Sequence, residues 1–377
     1  MKQRTLGIAG GGQLGLMLTQ AAHQLGFAVT VLDPTPQSPA SHQADRQIVG
    51  DFADPDAVHS LAKGVDVLTF EIESTHAGAL ADIAAQRAGQ VQPLPDTLGR
   101  INDKLAQKTM LAEAGIPVAS FQEVTDRESL EQAAQAFGYP VVLKSRRGGY
   151  DGRGNATLHE AAGINEAMTK LGGADLYVEQ FIPFAKELAV VAARTKQGTV
   201  ATYPVVETIH RNHICHTVLA PAPVAAAISE RATAVAQDVL TLFGGAGVFG
   251  IELFLTPAGE VLVNEIAPRV HNSGHFTIEG CHTSQFEQHV RAVAGLPLGP
   301  TTMKQGAAVM VNILGDRTGP ADPQGVAEAE ALGNVKVHIY GKQETRPERK
   351  MGHLTAWGAT LNEAQQLAEA ARARVSI

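Results

Sequence analysis

The stretch Asn264–His275 reads N-E-I-A-P-R-V-H-N-S-G-H and gathers a carboxylate, a guanidinium, two imidazoles and two amides. It directly follows the apolar run Val261-Leu262-Val263. A second apolar run, Val248–Leu255, holds Glu252, and Thr256-Pro257-Ala258-Gly259 between them is a turn signal. A hairpin over these runs makes Glu252 and Glu265 cross-strand neighbours, with Cβ atoms roughly 5 Å apart. Like charges so placed repel. One remedy is a divalent cation between them, and carboxylate oxygens suit magnesium, with manganese a second choice. The other is a shifted register that leaves one glutamate in solvent.

Two basic segments offer a complementary chemistry. Residues 144–155, K-S-R-R-G-G-Y-D-G-R-G-N, hold four cations and four glycines after an apolar strand. Glycines let backbone N–H groups approach phosphates, and Lys144 on the strand can point at them. The spacing is not that of a P-loop, and a flexible hairpin with a solvated charge run is the alternative. Residues 342–350, K-Q-E-T-R-P-E-R-K, place four more cations near one turn, enough to hold a phosphate by charge-assisted contacts. His210, His213, Cys215 and His216 crowd one short region, but their spacing matches no structural zinc pattern. A lone lysine such as Lys104 would by itself be read as part of a solvated helix face.

The elements around these residues alternate strand and helix. Residues 5–10 form a strand, Gly10-Gly11-Gly12-Gln13-Leu14-Gly15 opens a helix, and a second strand ends at Asp33. That G-x-G-x-x-G with a following acid is the dinucleotide fingerprint, although helix N-terminal N–H groups bind any phosphate. Strands at 47–50 and 65–70 and helices from Asp54 and His76 complete a small α/β unit over 1–96. One helix is expected over Asp96–Ala114, with Lys104 within it. Strands at Tyr139–Leu143 and Leu176–Ile182, a helix over Pro223–Phe243, the hairpin and a helix over Ser284–Ala294 fill 97–299, with a central subdomain at about 116–182. Strands Ala307–Leu314 and Val335–Tyr340 and a helix over Asn362–Arg372 form a β-rich unit over 300–377. The net charge of −8 argues against nucleic acid or an anionic membrane as partner, and two cysteines make no disulfide framework. No apolar run approaches ~18 residues. The expectation is a cytoplasmic globular protein.

In order along the chain, G-G-G-Q-L-G at 10–15, K-S-R-R-G-G-Y-D-G-R-G at 144–154, V-E-Q-F-I at 178–182, the 264–275 string and R-K-M-G-H at 349–353 resemble the N5-carboxyaminoimidazole ribonucleotide synthetases. These are ATP-grasp ligases of purine biosynthesis, and the resemblance covers essentially the whole chain. It implies an ATP-grasp fold with a Rossmann-like N-terminal domain and a small C-terminal β-rich domain. The implied reaction is ATP-dependent carboxylation of aminoimidazole ribonucleotide by bicarbonate through carboxyphosphate, with magnesium and without NAD or biotin, in a homodimer.

Carried onto this sequence, the resemblance gives Glu252 and Glu265 to magnesium, with Asn264 in support. Lys104 and Lys144 would contact the ATP phosphates, and Gly149, Tyr150, Asp151, Gly152, Arg153, Gly154 and Asn155 would cover them. Glu179, Gln180, Phe181, Ile182 and Glu187 would receive the adenosine, with His210 nearby. Asp151, Arg153, Arg269, His271 and Asn272 would face the ribonucleotide. Lys342 and Arg349, helped by Lys350 and Gln13, would take its 5′-phosphate. Arg269, Asp151 and Lys342 are the expected catalytic residues, Arg269 because a guanidinium can hold carboxyl and phosphoryl oxygens together. Lys104 stands where the family often has Arg, and Glu348 stands where it often has Gly. A nicotinamide oxidoreductase would leave the flap, the glutamate pair and the basic turn without a purpose. Another ATP-grasp ligase, such as a formate-using ribonucleotide transformylase, should lack the 264–275 string followed by R-K-M-G-H. A silent nucleotide-binding module would not need Lys144, Glu252, Glu265 and Arg269 together.

Overall fold

The computed structural model describes residues 3–149, 154–172 and 175–377. At the N-terminus, strands Arg46–Val49, Ala28–Asp33, Thr5–Ala9 and Val67–Phe70 lie side by side in that order, all parallel. They read as apolar runs because both faces are covered. Leu6, Ile8 and Val31 pack with Leu14, Met17 and Leu18 of helix Gln13–Gln24, whereas Leu32, Leu68 and Phe70 pack with Val58, Leu61 and Leu80.

The single helix expected over Asp96–Ala114 is broken in two, Pro95–Asn102 and Lys104–Glu113. Asp103 takes an extended conformation at the break and its carboxylate caps the second helix by accepting from Ala106 N–H. Lys104 is therefore the first residue of a helix rather than the middle of one. A four-stranded antiparallel sheet follows, ordered Phe121–Val124, Leu176–Gln180, Val141–Ser145, Asn155–Leu158. Helices Arg127–Phe137 and Ile164–Lys170 bury its apolar face, with Leu130, Ala133, Leu143 and Val178 at the centre. The first of these starts on an Asp126/Ser129 capping box.

The largest element is a nine-stranded sheet. Hairpin Gly247–Leu255/Val261–Ala267 forms one edge, followed by Lys186–Arg194, Val206–Arg211, Ile214–Ala220, Ala307–Leu314, Lys350–Gly358 and Val335–Ile339. Val200–Thr202 pairs with Lys186–Arg194 off this path. The C-terminal strands thus continue the same sheet, because Ala307–Leu314 bonds antiparallel to Ile214–Ala220. Helix Ala226–Phe243, which begins three residues later than the sequence suggests, covers the hairpin with Val235, Val239 and Leu240. Helix Leu361–Arg372, opened by a Thr360/Glu363 capping box, covers the C-terminal strands with Ala364, Ala368 and Ala371.

Candidate functional site

The hairpin turn sets Leu253 opposite Val263, and an extra residue, Asn264, then carries Glu265 opposite Glu252. This β-bulge decides the site. Val261, Val263 and Ile266 are buried under helix Ala226–Phe243, whereas Asn264 and Glu265 are both half-buried and lie off that core. A regular strand would have sent one of them inward; the bulge re-aims it. Burial and repulsion by Glu265 push the Glu252 carboxyl up to about 7, against the pull of His210 and Lys104.

Lys104 answers part of that charge. Its Nζ lies 3.2 Å from Glu265 Oε1 and 3.4 Å from the Gly149 carbonyl at the start of the flap. Burial works against the Lys104 ammonium, but Glu265, Glu73 and Glu179 together raise it above its ordinary value. Beside it, the buried Glu179 carboxylate receives Lys144 Nζ on one oxygen at 2.6 Å and Lys108 Nζ on the other at 3.1 Å. Burial alone would raise Glu179, yet the two lysines outweigh it and hold the group at about 2. Its carboxylate is thereby committed to lysines, so any adenosine contact there falls to neighbouring groups. Gln180 and Ile182 line an open cavity of about 480 Å³ with Val118, Ser120 and Leu262. Phe181 is exposed, and Phe184 stacks on Phe254. Glu187 pairs with His210 Nδ1 at 2.5 Å, and this carboxylate, despite burial, raises the imidazole above its usual value.

The flap is less electropositive than its sequence suggests. Arg146 makes two bonds to Asp103, of 3.1 and 2.7 Å, and a third to Glu123; Arg147 reaches Asp103 at 2.8 Å. With Lys144 held by Glu179, three of its four cations are paired at the base. Gly154 closes that base in the left-handed region at φ +82°, where a Cβ would sit 2.6 Å from Ser145 Oγ. Asn155 begins the return strand opposite Lys144. Tyr150, Asp151, Gly152 and Arg153 lie outside the described residues.

The glycine fingerprint carries a different message from the one its pattern suggests. Gly11 N–H donates to Asp33 Oδ2 at 2.8 Å, and Gly12 N–H donates to Glu71 Oε1 at 2.9 Å. Carboxylates of the chain itself take the N–H groups that a dinucleotide pyrophosphate would need. Burial raises the Glu71 carboxyl, while the nearby charges of Arg269 and Lys342 oppose that rise. Gln13, predicted to help the ribonucleotide, opens the helix directly after this loop.

Past the Pro268 bend, Arg269 pairs with Glu73 at 3.0 Å. His271 Nδ1 sits 2.8 Å from Ser273 Oγ, leaving Nε2 to face Glu252 Oε1 at 3.4 Å. Burial and the charge of Arg269 drop His271 to about 3, so a neutral ring makes this contact. Gly250 permits it, since a Cβ there would lie 2.5 Å from His271 Cβ. Asn272 and Asn312 exchange amide bonds of 3.1 and 2.7 Å, joining this loop to strand Ala307–Leu314. Lys342 Nζ donates to the Lys350 carbonyl at 2.6 Å; burial, Arg349 and Lys350 draw it down to about 8. Arg349 donates to the Glu344 carbonyl at 2.5 Å. Glu348 adopts φ +66°, a conformation glycine takes without strain, and accepts from Asn212 at 3.0 Å.

Two groups of predicted residues therefore form, one around Glu265, Lys104 and Lys144, the other around Arg269, His271 and Lys342. The contact between Glu252 and His271 joins them. The sequence reading missed Lys108, Glu71 and Glu73. Lys108 falls four residues after Lys104 on one helix face. Glu71 and Glu73 follow the C-terminal end of a parallel strand, where open α/β sheets place ligands. Either position was a usable signal.

Parallel N-terminal sheet, small antiparallel sheet and acid-bearing hairpin together define an ATP-grasp protein. The ATP-grasp domain family matches residues 109–286, the ribonucleotide synthetase preATP-grasp domain matches 1–102, and the phosphoribosylaminoimidazole carboxylase C-terminal domain matches 308–367. The N5-carboxyaminoimidazole ribonucleotide synthase of Synechococcus elongatus is 40% identical, over 98% of this chain and 94% of its own. The crystal structure of the N5-carboxyaminoimidazole ribonucleotide synthetase from Thermotoga maritima superposes with a TM-score of 0.90 at 43% identity, covering 99% of both chains. An Aspergillus clavatus N5-carboxyaminoimidazole synthase, crystallised with ADP and 5-aminoimidazole ribonucleotide, gives 0.90 at 37% identity, covering 98% of this chain and 97% of its own. The phosphoribosylaminoimidazole carboxylase of Ogataea methanolica is 42% identical over 97% of this chain, and the chain spans about two thirds of the length of such carboxylases. This chain belongs to the N5-carboxyaminoimidazole ribonucleotide synthase family.

Proposed function

We propose that this protein carboxylates 5-aminoimidazole ribonucleotide on its amine, using ATP and bicarbonate and releasing ADP and phosphate. The observation that carries this reading is the 3.4 Å contact between Glu252 and His271, which supports a single site shared by the acid hairpin and the Arg269–Lys342 group. Relatives named for this reaction, one crystallised with ADP and the ribonucleotide, support it.

The donor set fits magnesium: two in-register carboxylates and the Asn264 amide, with Glu252 raised by burial and by Glu265 opposite it. Two carboxylates are few for an all-protein cage, as suits an ion completed by substrate phosphates. Bound there, magnesium would neutralise charge on the transferring phosphoryl group. Lys104 and Lys144 hold the phosphate chain, and residues 149–155 cover it. Bicarbonate oxygen attacks the γ-phosphorus as the β–γ bridge breaks, giving carboxyphosphate and ADP. The ribonucleotide amine then attacks the carboxyl carbon, phosphate leaves, and the amine sheds one proton. Arg269 spans carboxyl and phosphoryl oxygens through both steps. His271, Asn272, Asp151 and Arg153 orient the ribonucleotide; Lys342, Arg349 and Lys350 take its 5′-phosphate. Residues 1–96, 97–299 and 300–377 are the three working units.

We place the enzyme in the cytoplasm as a homodimer; among the described residues no helix is long and apolar enough to cross a membrane. A coupled ADP assay with purified protein tests the reading. ADP release is expected only with ribonucleotide, bicarbonate and Mg²⁺ all present, and no ribonucleotide-dependent ADP formation would refute it.

A further inference from the structure

Lys108 is a buried lysine with an unusual pair of partners. Its side chain is 2% exposed, and its Nζ reaches Glu179 Oε1 at 3.1 Å and the Val263 carbonyl at 3.0 Å. Val263 immediately precedes the bulged Asn264. Glu179 receives Lys144 on its other oxygen, so each carboxylate oxygen faces its own lysine. Among the described residues, Glu179 is the sole acid within ion-pair reach of either. Charge bookkeeping then separates two cases. A buried Glu179 with Lys144 alone is a neutral pair whose field at a neighbouring phosphate largely cancels. With Lys108 protonated, as its contact with Glu179 favours against the lowering by burial and Lys144, the buried Lys–Glu–Lys group carries a net positive charge, and Lys144 acts on phosphate as an ammonium. The depressed Glu179 carboxyl agrees with a carboxylate that stays ionised between two cations.

We propose that Lys108 is a positioning residue for the nucleotide: it neutralises Glu179 from behind and so keeps Lys144 free to hold the phosphate chain. The inference rests on the ATP-binding reading above. Helix geometry supports it, since Lys104 and Lys108 are one turn apart on the same face of Lys104–Glu113. Lys104 reaches Glu265 on the hairpin, whereas Lys108 reaches Glu179 on the small sheet and the backbone of the hairpin. One helix face thus sets both the charge and the separation of the two walls of the site.

The test is a charge-rescue cycle read by calorimetric titration of the full-length protein with MgATP, with adenosine as the probe that lacks phosphates. Lys108→Met is expected to weaken MgATP by about tenfold or more, which is ~1.4 kcal/mol, and to leave adenosine within about twofold. Adding Glu179→Gln to Lys108→Met is expected to recover most of that loss, because Lys144 no longer faces an acid. A purely structural ion pair predicts the opposite pattern, in which both ligands weaken alike and the double variant is no better. Unchanged MgATP affinity in Lys108→Met, or no recovery in the double variant, overturns the inference. Should Lys108→Met fail to fold, Glu179→Gln and the double variant carry the test. With the acid gone, removing Lys108 should cost less than about threefold, and a tenfold loss there overturns the idea. Wild type that binds no MgATP overturns the functional reading and this inference together, whereas wild type that binds it isolates the role of Lys108.

Discussion

His289 offers a measurement whose size follows directly from its surroundings. It is fully buried in helix Gln285–Val293 and bridges two parts of the chain. Val248 N–H donates to its Nδ1 at 3.1 Å, which leaves Nε2–H for Thr69 Oγ1 at 2.8 Å. Thr69 belongs to the N-terminal parallel sheet and Val248 to the strand that carries Glu252. Burial drives the imidazole down to about 3, against ~6.5 in an unfolded chain. A depressed folded value means stability is present above about pH 6.5 and is lost as pH falls toward 3. At pH 5.5 the unfolded imidazole is about nine-tenths protonated while the folded one stays neutral, a loss of ~1.4 kcal/mol from this residue alone. Against a total of ~5–15 kcal/mol that is measurable. His289→Gln keeps a donor and an acceptor but cannot titrate. Urea unfolding of both proteins at about pH 8 and pH 5.5 isolates the effect, because His271, His275 and His353, also lowered by burial, are common to both. The variant should be less stable at pH 8, and its deficit should shrink by ~1.4 kcal/mol at pH 5.5. A deficit that stays constant within about 0.5 kcal/mol refutes the buried-neutral assignment.

Three further outcomes follow from the site. Glu265→Gln should cut Mg²⁺-dependent ADP release by about 100-fold or more, with a far-UV spectrum like wild type; near-normal turnover would remove the metal role. Gly250→Ala puts a Cβ 2.5 Å from His271 Cβ. The overpacking should cost ~1–3 kcal/mol in denaturant unfolding and raise KM for the ribonucleotide more than KM for ATP. Glu348→Gly relieves a φ of +66°, worth ~1–2 kcal/mol, and loses the Asn212 bond and ~0.5–1 kcal/mol through unfolded-chain entropy. Thermal unfolding should therefore stay within a few degrees of wild type. KM for the ribonucleotide should fall, since an acid beside Arg349 is gone.

Much of this was legible in the sequence because local chemistry was strong. Turn residues between two apolar runs paired Glu252 with Glu265, although the pairing holds through a bulge that no pattern announced. Asn264 reads as a strand residue until its neighbours fix which side is core. The break at Asp103 was equally hidden, because the helix pattern runs through it and the reason for stopping lies forty residues on, in Arg146 and Arg147. These arginines also explain why a charge run in a glycine-rich segment overstated the positive field: composition counts cations, whereas the fold decides which are already paired. Lys108 escaped for the converse reason. Its spacing from Lys104 marked a shared helix face, but only the fold shows that its carboxylate comes from Glu179.

The described charges around the two halves of the site are not alike, and the difference bears on how the two substrates are held. On the half proposed for ATP, Lys104, Lys108 and Lys144 face Glu179, Glu252 and Glu265, three cations against three acids. Such a site has little charge to spare for a polyphosphate until a cation enters between Glu252 and Glu265. On the half proposed for the ribonucleotide, Arg269, Lys342, Arg346, Arg349 and Lys350 stand among Asp33, Glu71, Glu73 and Glu348. That local cluster of cations suits a phosphate monoester. In the proposed reading, a chain of net charge −8 gathers cations where the ribonucleotide phosphate would bind, and magnesium would serve the half proposed for the nucleotide. His271, neutral and pressed between Glu252 and Gly250, keeps these two fields adjacent without adding charge to either.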